Sequence, residues 1–178
     1  MSKHPLISRV TEDILVEATD FEDTEVQYDA PNHLVRLSQW GTVEEGENDY
    51  YYDGAYQGEG VMNYVIDTGI NTELPEFEGR AILGPNFSLD AKNADYIGHG
   101  THVAGIIGSA TYGVAKKTTM MSIKVLDRFG QGSLSSVIAG IEWAVHHRKT
   151  NGIPGVANLS LGAGKSPILN DAVKAAFE

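Results

Sequence analysis

Two short stretches of this chain carry side chains that can move protons. Asp67 lies in Val65-Ile66-Asp67-Thr68-Gly69, and His99 lies in Gly98-His99-Gly100-Thr101-His102-Val103-Ala104-Gly105. A carboxylate that closes an apolar run is partly desolvated, so it needs hydrogen-bond donors or a reaction to serve. An imidazole between two glycines can lie close to a neighbouring backbone and keep one ring nitrogen accessible. Such a pair suits general-base chemistry, in which the imidazole takes a proton from a nucleophile while the carboxylate holds its other nitrogen. Asp67 can equally do no more than organise a turn with the N–H groups of Thr68 and Gly69. His99 and His102 have the His-x-x-His spacing of a metal pair. No third ligand follows at a recognisable spacing and the flanks differ from His-Glu-x-x-His, so a buried, hydrogen-bonded structural His102 is favoured.

The elements that must position these residues can be read from apolar patterning. Val61–Ile66 is a short apolar, β-branched run ending in the turn signal Asp-Thr-Gly, as a buried strand does. Residues 98–110 continue with Val103, Ala104, Ile106 and Ile107, which suits a helix packed tightly on a sheet with Thr101 near its start. Met120–Leu126 reads as a second buried strand. Ser133–His147 has Leu134, Val137, Ile138, Ile141, Trp143, Ala144 and Val145 spaced for a helix with one buried stripe, with Ser133 as its cap. Gly155–Leu161 reads as a third strand, and Pro167 opens a last helix. Ile14–Val26 alternates loosely, as a strand or extended segment, and residues 40–60 read as a loop. Strands alternating with helices imply crossovers and an α/β fold with a mostly parallel sheet, whose carboxyl edge gathers the chemistry. That pattern disagrees with the aspartic proteases. Those enzymes also need two carboxylates sharing a proton, and a single Asp-Thr-Gly is present.

Composition narrows the function classes. The chain has 178 residues, of which 42% are hydrophobic, 8% aromatic and 21% charged, within the globular range. It has no Cys, which rules out disulfides, thiolate catalysis and Cys-based metal sites. No run approaches the ~20 apolar residues of a spanning helix, so no membrane partner is expected. The first ten residues lack the apolar core of a secretory signal. The net charge of -11 sits wholly in residues 1–60, which hold 14 acids and 3 bases, whereas residues 61–178 balance 10 acids with 10 bases. Nothing forms a basic patch, which excludes a nucleic-acid role. The eight acids between Thr11 and Asp29 are compatible with a solvated tail.

Five motifs occur in order: Val-Ile-Asp-Thr-Gly at 65–69, Gly-His-Gly-Thr-His-Val-Ala-Gly at 98–105, Tyr-Gly-Val-Ala-Lys-Lys-Thr at 112–118, Lys-Val-Leu-Asp at 124–127 and Leu-Ser-Leu-Gly at 159–162. In this the chain closely resembles the subtilisin-like serine proteases. Tyr-Gly-Val-Ala-Lys-Lys and Pro75-Glu76-Phe77-Glu78-Gly79-Arg80 point to the proteinase K-like branch, common in fungi. The resemblance implies a three-layer α/β/α fold, with Asp67 as the triad carboxylate and His99 as the general base. It implies that Gly130, Gln131, Gly132, Ser133 and Leu134 form an extended segment pairing with a polypeptide substrate, and that Ser160, Leu161 and Gly162 form the opposite wall. Residues 5–27 resemble the tail of the family's inhibitory propeptide. Residues 1–29 are therefore expected to be a removable acidic segment and a partner for the cleft, with 30–178 as the peptidase portion. A secreted or vacuolar location follows from the family.

The sequence also departs from that pattern. No Gly-Thr-Ser carries a nucleophile, and no Gly-Asn supplies the oxyanion asparagine; Asn158 falls inside the third strand. Ile97 stands where a polar residue is usual. The family's calcium ligands lie largely outside this chain, so no metal or cofactor is expected. An Asp–His pair without its nucleophile forms no acyl-enzyme, and loss of one triad member costs orders of magnitude. These residues alone are accordingly expected to be inactive, a portion truncated before the C-terminal half of the fold. The competing expectation is a non-catalytic protein that keeps a peptide-binding cleft. Of two Asn-x-Ser sequons, Asn86 is expected to be exposed and Asn158 buried.

Overall fold

A computed structural model describes residues 24–39, 41–43, 46–162 and 164–177. The acidic segment therefore falls mostly outside the described residues, as does Ala163 in the turn after the third expected strand.

The first elements form a small unit that the sequence did not suggest. Strand β1 (Thr24–Gln27) is followed by helix α1 (Asn32–Leu37) and by strand β2 (Tyr50–Asp53), which pairs antiparallel with β1. Residues 50–53 were expected to be loop. Their Tyr-Tyr-Tyr run becomes a strand because β1 supplies the partner and Tyr50 stacks on Tyr52 at 5.1 Å. Ala30, Leu34, Val35 and Tyr50 close a satellite core. The expected boundary at 29/30 runs through this unit, since the Ala30 N–H donates to Asn48 O at 2.7 Å.

The main sheet follows the expected logic. Strands β3 (Met62–Asp67), β4 (Ala81–Asn86), β5 (Thr119–Lys124) and β6 (Gly155–Asn158) lie in the order β4-β5-β3-β6, with every neighbour parallel. Helices α2 (His99–Gly108), α3 (Leu134–Asn151) and α4 (Pro167–Phe177) complete the chain. Side chains alternate across β3. Tyr64 and Ile66 join Ile123, Val125, Val137, Ile141 and Ala144 against α3, with Leu169 and Val173 of α4 beside them. Val65 joins Met120, Phe77, Ile70 and Ala104 against α2. Both faces of the central strands β3 and β5 are thus covered, giving three α/β/α layers, which is why these two strands read as continuous apolar runs, whereas Val156 of β6 and Leu83 of β4 are exposed. Each fully buried aliphatic side chain contributes about 1.5–3 kcal/mol, and Val65, Ile66 and Ile123 are all at 0% exposure.

Local chemistry sets the boundaries. Ser133 caps α3 as expected, its hydroxyl accepting the Ser136 N–H at 3.0 Å. Strand β4 was not anticipated. Its Gly84-Pro85 pair sits at a register shift, and Pro is tolerated there because β4 has a neighbour on one side alone in the described sheet. Neither sequon expectation holds, because Asn86 and Asn158 are both half-buried. Asn86 donates to Asp90 O at 2.9 Å and accepts from the Ser88 hydroxyl at 2.7 Å, and Asn158, at the end of β6, donates to Ser160 Oγ. No helix of the described residues is long and apolar enough to cross a membrane.

Candidate active site

Asp67 is the last residue of β3 and its side chain is fully buried. Oδ1 accepts two short hydrogen bonds, from the Thr68 N–H at 2.7 Å and from His99 Nδ1 at 2.7 Å. A carboxylate oxygen only accepts, so Nδ1 carries the proton and Nε2 is the free basic nitrogen of the neutral ring. His99 opens α2, and its side chain is 45% exposed. Among the described residues nothing bonds Nε2, and no serine hydroxyl bonds His99. Asp67 Oδ2 is buried without a partner. The backbone around it is pinned, because the Asp67 carbonyl accepts from both the Val125 and Leu126 N–H groups at 2.9 and 3.2 Å.

Strand and helix meet so closely because Gly100 has no side chain. A Cβ there would stand 2.1 Å from Gly69 O and 3.2 Å from Asp67 Cβ. Instead the Gly100 N–H donates to Thr68 Oγ1 at 2.9 Å. Thr68 Oγ1 in turn donates to Asp95, which sequence reasoning missed. The Asp95 carboxylate accepts from the hydroxyls of Thr68 (2.9 Å) and Thr101 (2.6 Å) and from the N–H groups of Ile97, Gly98 and Thr101. Burial opposes its charge, but the hydroxyl and N–H of Thr101, with Gly98 and Thr68, outweigh that and hold its carboxyl below the ordinary 3.8. Thr101 therefore does not cap α2 with its own side chain. Gly98 takes the N-cap position at φ 85°, and Thr101 ties the helix start to Asp95 and to the Asn71 N–H. An Asp four residues before an imidazole, in a loop, was the available signal.

His99 borders a cleft of about 710 Å³. Thr68, Ile97, Leu126 and Phe129 line it, as do Gly130–Leu134 on one side and Ser160–Gly162 on the other. All the residues singled out for peptide pairing thus share one cleft with the imidazole. Gln131 is committed within it. Its N–H donates to Asp127 Oδ1 at 3.0 Å, and its carbonyl accepts the Asp127 N–H at 2.8 Å.

His102 differs from expectation. It is exposed on α2 without a side-chain hydrogen bond, because α2 buries Gly100, Ala104 and Gly108 and position 102 lies off that face. Among the described residues no three His, Asp or Glu side chains are grouped to hold a metal ion.

Comparisons with known proteins agree with this arrangement. A subtilisin-like protease of Coccidioides posadasii is 45% identical over 181 residues, covering 100% of this chain and 44% of its own length. Cerevisin of Saccharomyces cerevisiae is 44% identical over 184 residues, covering 99% and 28%. The chain thus spans less than half of the curated relatives it matches. A crystal structure of a cold-adapted subtilisin-like serine proteinase superposes with a TM-score of 0.72 at 41% identity, covering 83% of this chain and 52% of that one. The fold is therefore the subtilisin-like α/β fold. The sequence profile described as "Subtilase family" matches residues 58–178, the stretch that carries the buried aspartate, the imidazole and both cleft walls, and this chain belongs to that family.

Proposed function

We propose that these residues supply the aspartate, the histidine and the peptide cleft of a serine endopeptidase. One observation carries the reading: the 2.7 Å bond from His99 Nδ1 to a fully buried Asp67 carboxylate, which leaves Nε2 free at the cleft. Asp67 fixes the tautomer and favours the imidazolium that forms when Nε2 takes the hydroxyl proton of a serine; His99 then returns that proton to the leaving amine. The serine comes from outside these 178 residues, and the 178 residues alone do not hydrolyse peptides. An extended peptide pairs by its backbone with the Gly130 carbonyl and with Gly132, since the Gly130 N–H and both backbone groups of Gln131 are held by Asp127, and lies against Ser160–Gly162. Such pairing selects unfolded segments over folded ones. Residues 1–29 act as the tail of an inhibitory propeptide. The protein works outside the cytosol, secreted or in a vacuole, and needs no cofactor for the chemical step.

The test is labelling of the full-length polypeptide by a fluorophosphonate, together with hydrolysis of a denatured protein substrate. Labelling and hydrolysis that are lost in His99→Ala support the reading. A well-folded full-length protein that binds peptide without labelling or cleavage overturns it in favour of a non-catalytic peptide-binding protein.

A further inference from the structure

Lys124 has no part in the proton transfers above, yet it is a fully buried charge beside them. It ends β5, opposite Asp67 in the parallel register, at 0% exposure. Its ammonium donates to Thr68 O at 2.7 Å and to Leu126 O at 2.7 Å, and Asp90 Oδ2 lies 3.2 Å away. Asp90 is itself 5% exposed and accepts from Arg128 Nε at 2.9 Å. The Tyr96 ring covers both cations, at 5.8 Å from Lys124 Nζ and 4.9 Å from the Arg128 guanidinium. The Arg128 hydrogen bond, against the effect of burial and with help from Lys124, holds the Asp90 carboxyl below its ordinary 3.8. Two of the ammonium donors are thereby committed to backbone carbonyls, and Asp90 Oδ2 stands at ion-pair distance without a hydrogen bond of its own.

A buried ion pair of this kind gives little net stability over an apolar side chain of the same volume. What it gives is geometry. Its two carbonyl partners belong to the two halves of the site. Thr68 follows Asp67 and bonds Gly100 and Asp95 through its hydroxyl. Leu126 lines the cleft and leads into the 130–134 wall. We propose that Lys124 is a positioning residue that sets the spacing between the Asp67–His99 pair and the peptide-pairing wall by holding the Thr68 and Leu126 carbonyls in one shell, with Asp90 and Arg128 balancing its charge. This rests on the endopeptidase reading. A wall displaced by ~1 Å leaves a peptide bound but poorly placed for attack, a misplacement that costs about 10²-fold in rate.

The experiment compares Lys124→Met/Asp90→Asn with Asp90→Asn alone and with exposed Lys92→Met, in the full-length polypeptide. Active sites are counted by fluorophosphonate titration, so that misfolded protein drops out of the rate. The double variant is expected to lose about 10- to 100-fold in kcat per titrated site while KM moves less than about threefold. Asp90→Asn, which keeps Lys124 but removes its charge partner and so loosens its hold on the two carbonyls, is expected to lose about three- to tenfold with the same split, and it decides the matter if the double variant does not fold. Lys92→Met is expected to match the parent. A role confined to stability would lower the titrated fraction and leave kcat per site within about twofold, which overturns the proposal. A parent with no titratable serine overturns the endopeptidase reading and this inference with it; a titratable parent with unaffected variants overturns the inference alone.

Discussion

Replacing Gly100 with Ala tests whether the approach of α2 to the end of β3 is what joins Asp67 to His99. The added methyl would lie 2.1 Å from Gly69 O, whereas real Cβ contacts essentially never fall below 3.0 Å, so helix and strand must separate by about 0.9 Å. The obstacle is backbone, not the end of a flexible side chain. Gly100 is buried, so the strain has no route into solvent. Overpacking of this kind costs about 1–3 kcal/mol. The same retreat stretches the Gly100 N–H bond to Thr68 Oγ1 and the 2.7 Å His99–Asp67 bond beyond hydrogen-bond range. The first is a neutral bond worth about 1 kcal/mol, and the second is charge-assisted but discounted to about the same value because the imidazole is half-exposed. The expected loss is therefore about 3–5 kcal/mol, a large share of the 5–15 kcal/mol typical of a domain. Gly105 provides the opposite control. A Cβ at Gly105 meets nothing within 4 Å, and Gly→Ala inside a helix stabilises by about 0.5–1 kcal/mol. Urea unfolding followed by circular dichroism reads both. Gly100→Ala within about 0.5 kcal/mol of the parent would refute the close-approach argument, as would Gly105→Ala destabilising as much as Gly100→Ala.

Three further outcomes follow from the same geometry. Asp67→Asn keeps the shape but favours the wrong tautomer of His99, so kcat of the full-length protein should drop about 10⁴-fold with KM little changed; a loss under tenfold would remove Asp67 from the mechanism. Asp95→Asn should destabilise by about 1–2 kcal/mol at neutral pH. Because the folded-state carboxyl of Asp95 is depressed, its contribution is complete above 3.8 and lost as pH falls through the folded value. Parent and variant should therefore converge in acid, and urea midpoints that stay equally far apart down to strong acid would contradict this. Ser133→Ala removes the cap of α3 and should cost about 1 kcal/mol in the same unfolding assay, with Ser133→Asp restoring most of it.

The sheet core and the Asp67–His99 pair were legible in the sequence for one physical reason. Strands covered on both faces must be apolar throughout, so Val61–Ile66 and Met120–Leu126 stand out, and the residue that ends such a run stands at the functional edge. Elements that depend on a distant partner did not stand out. The Tyr50–Asp53 strand exists through pairing with Thr24–Gln27, in a stretch whose Gly, Glu and Asn content reads as loop. Strand β4 hides behind Gly84 and Pro85. Asp95 and Lys124 were missed because each depends on Thr68, 27 and 56 residues away, Asp95 through its hydroxyl and Lys124 through its carbonyl, which no local pattern records. His102 was misplaced because a spacing of three on a helix does not say which face is buried, and here small residues, Gly100, Ala104 and Gly108, define that face.

The most direct measurement of the central claim is nuclear magnetic resonance of the His99 ring, with nitrogen-15 in its imidazole. The expected result is a far-downfield proton on Nδ1, slow to exchange with water, that disappears in Asp67→Asn. A neutral His99 ring that carries its proton on Nε2 instead of Nδ1, or a downfield proton indifferent to Asp67, would contradict the pairing.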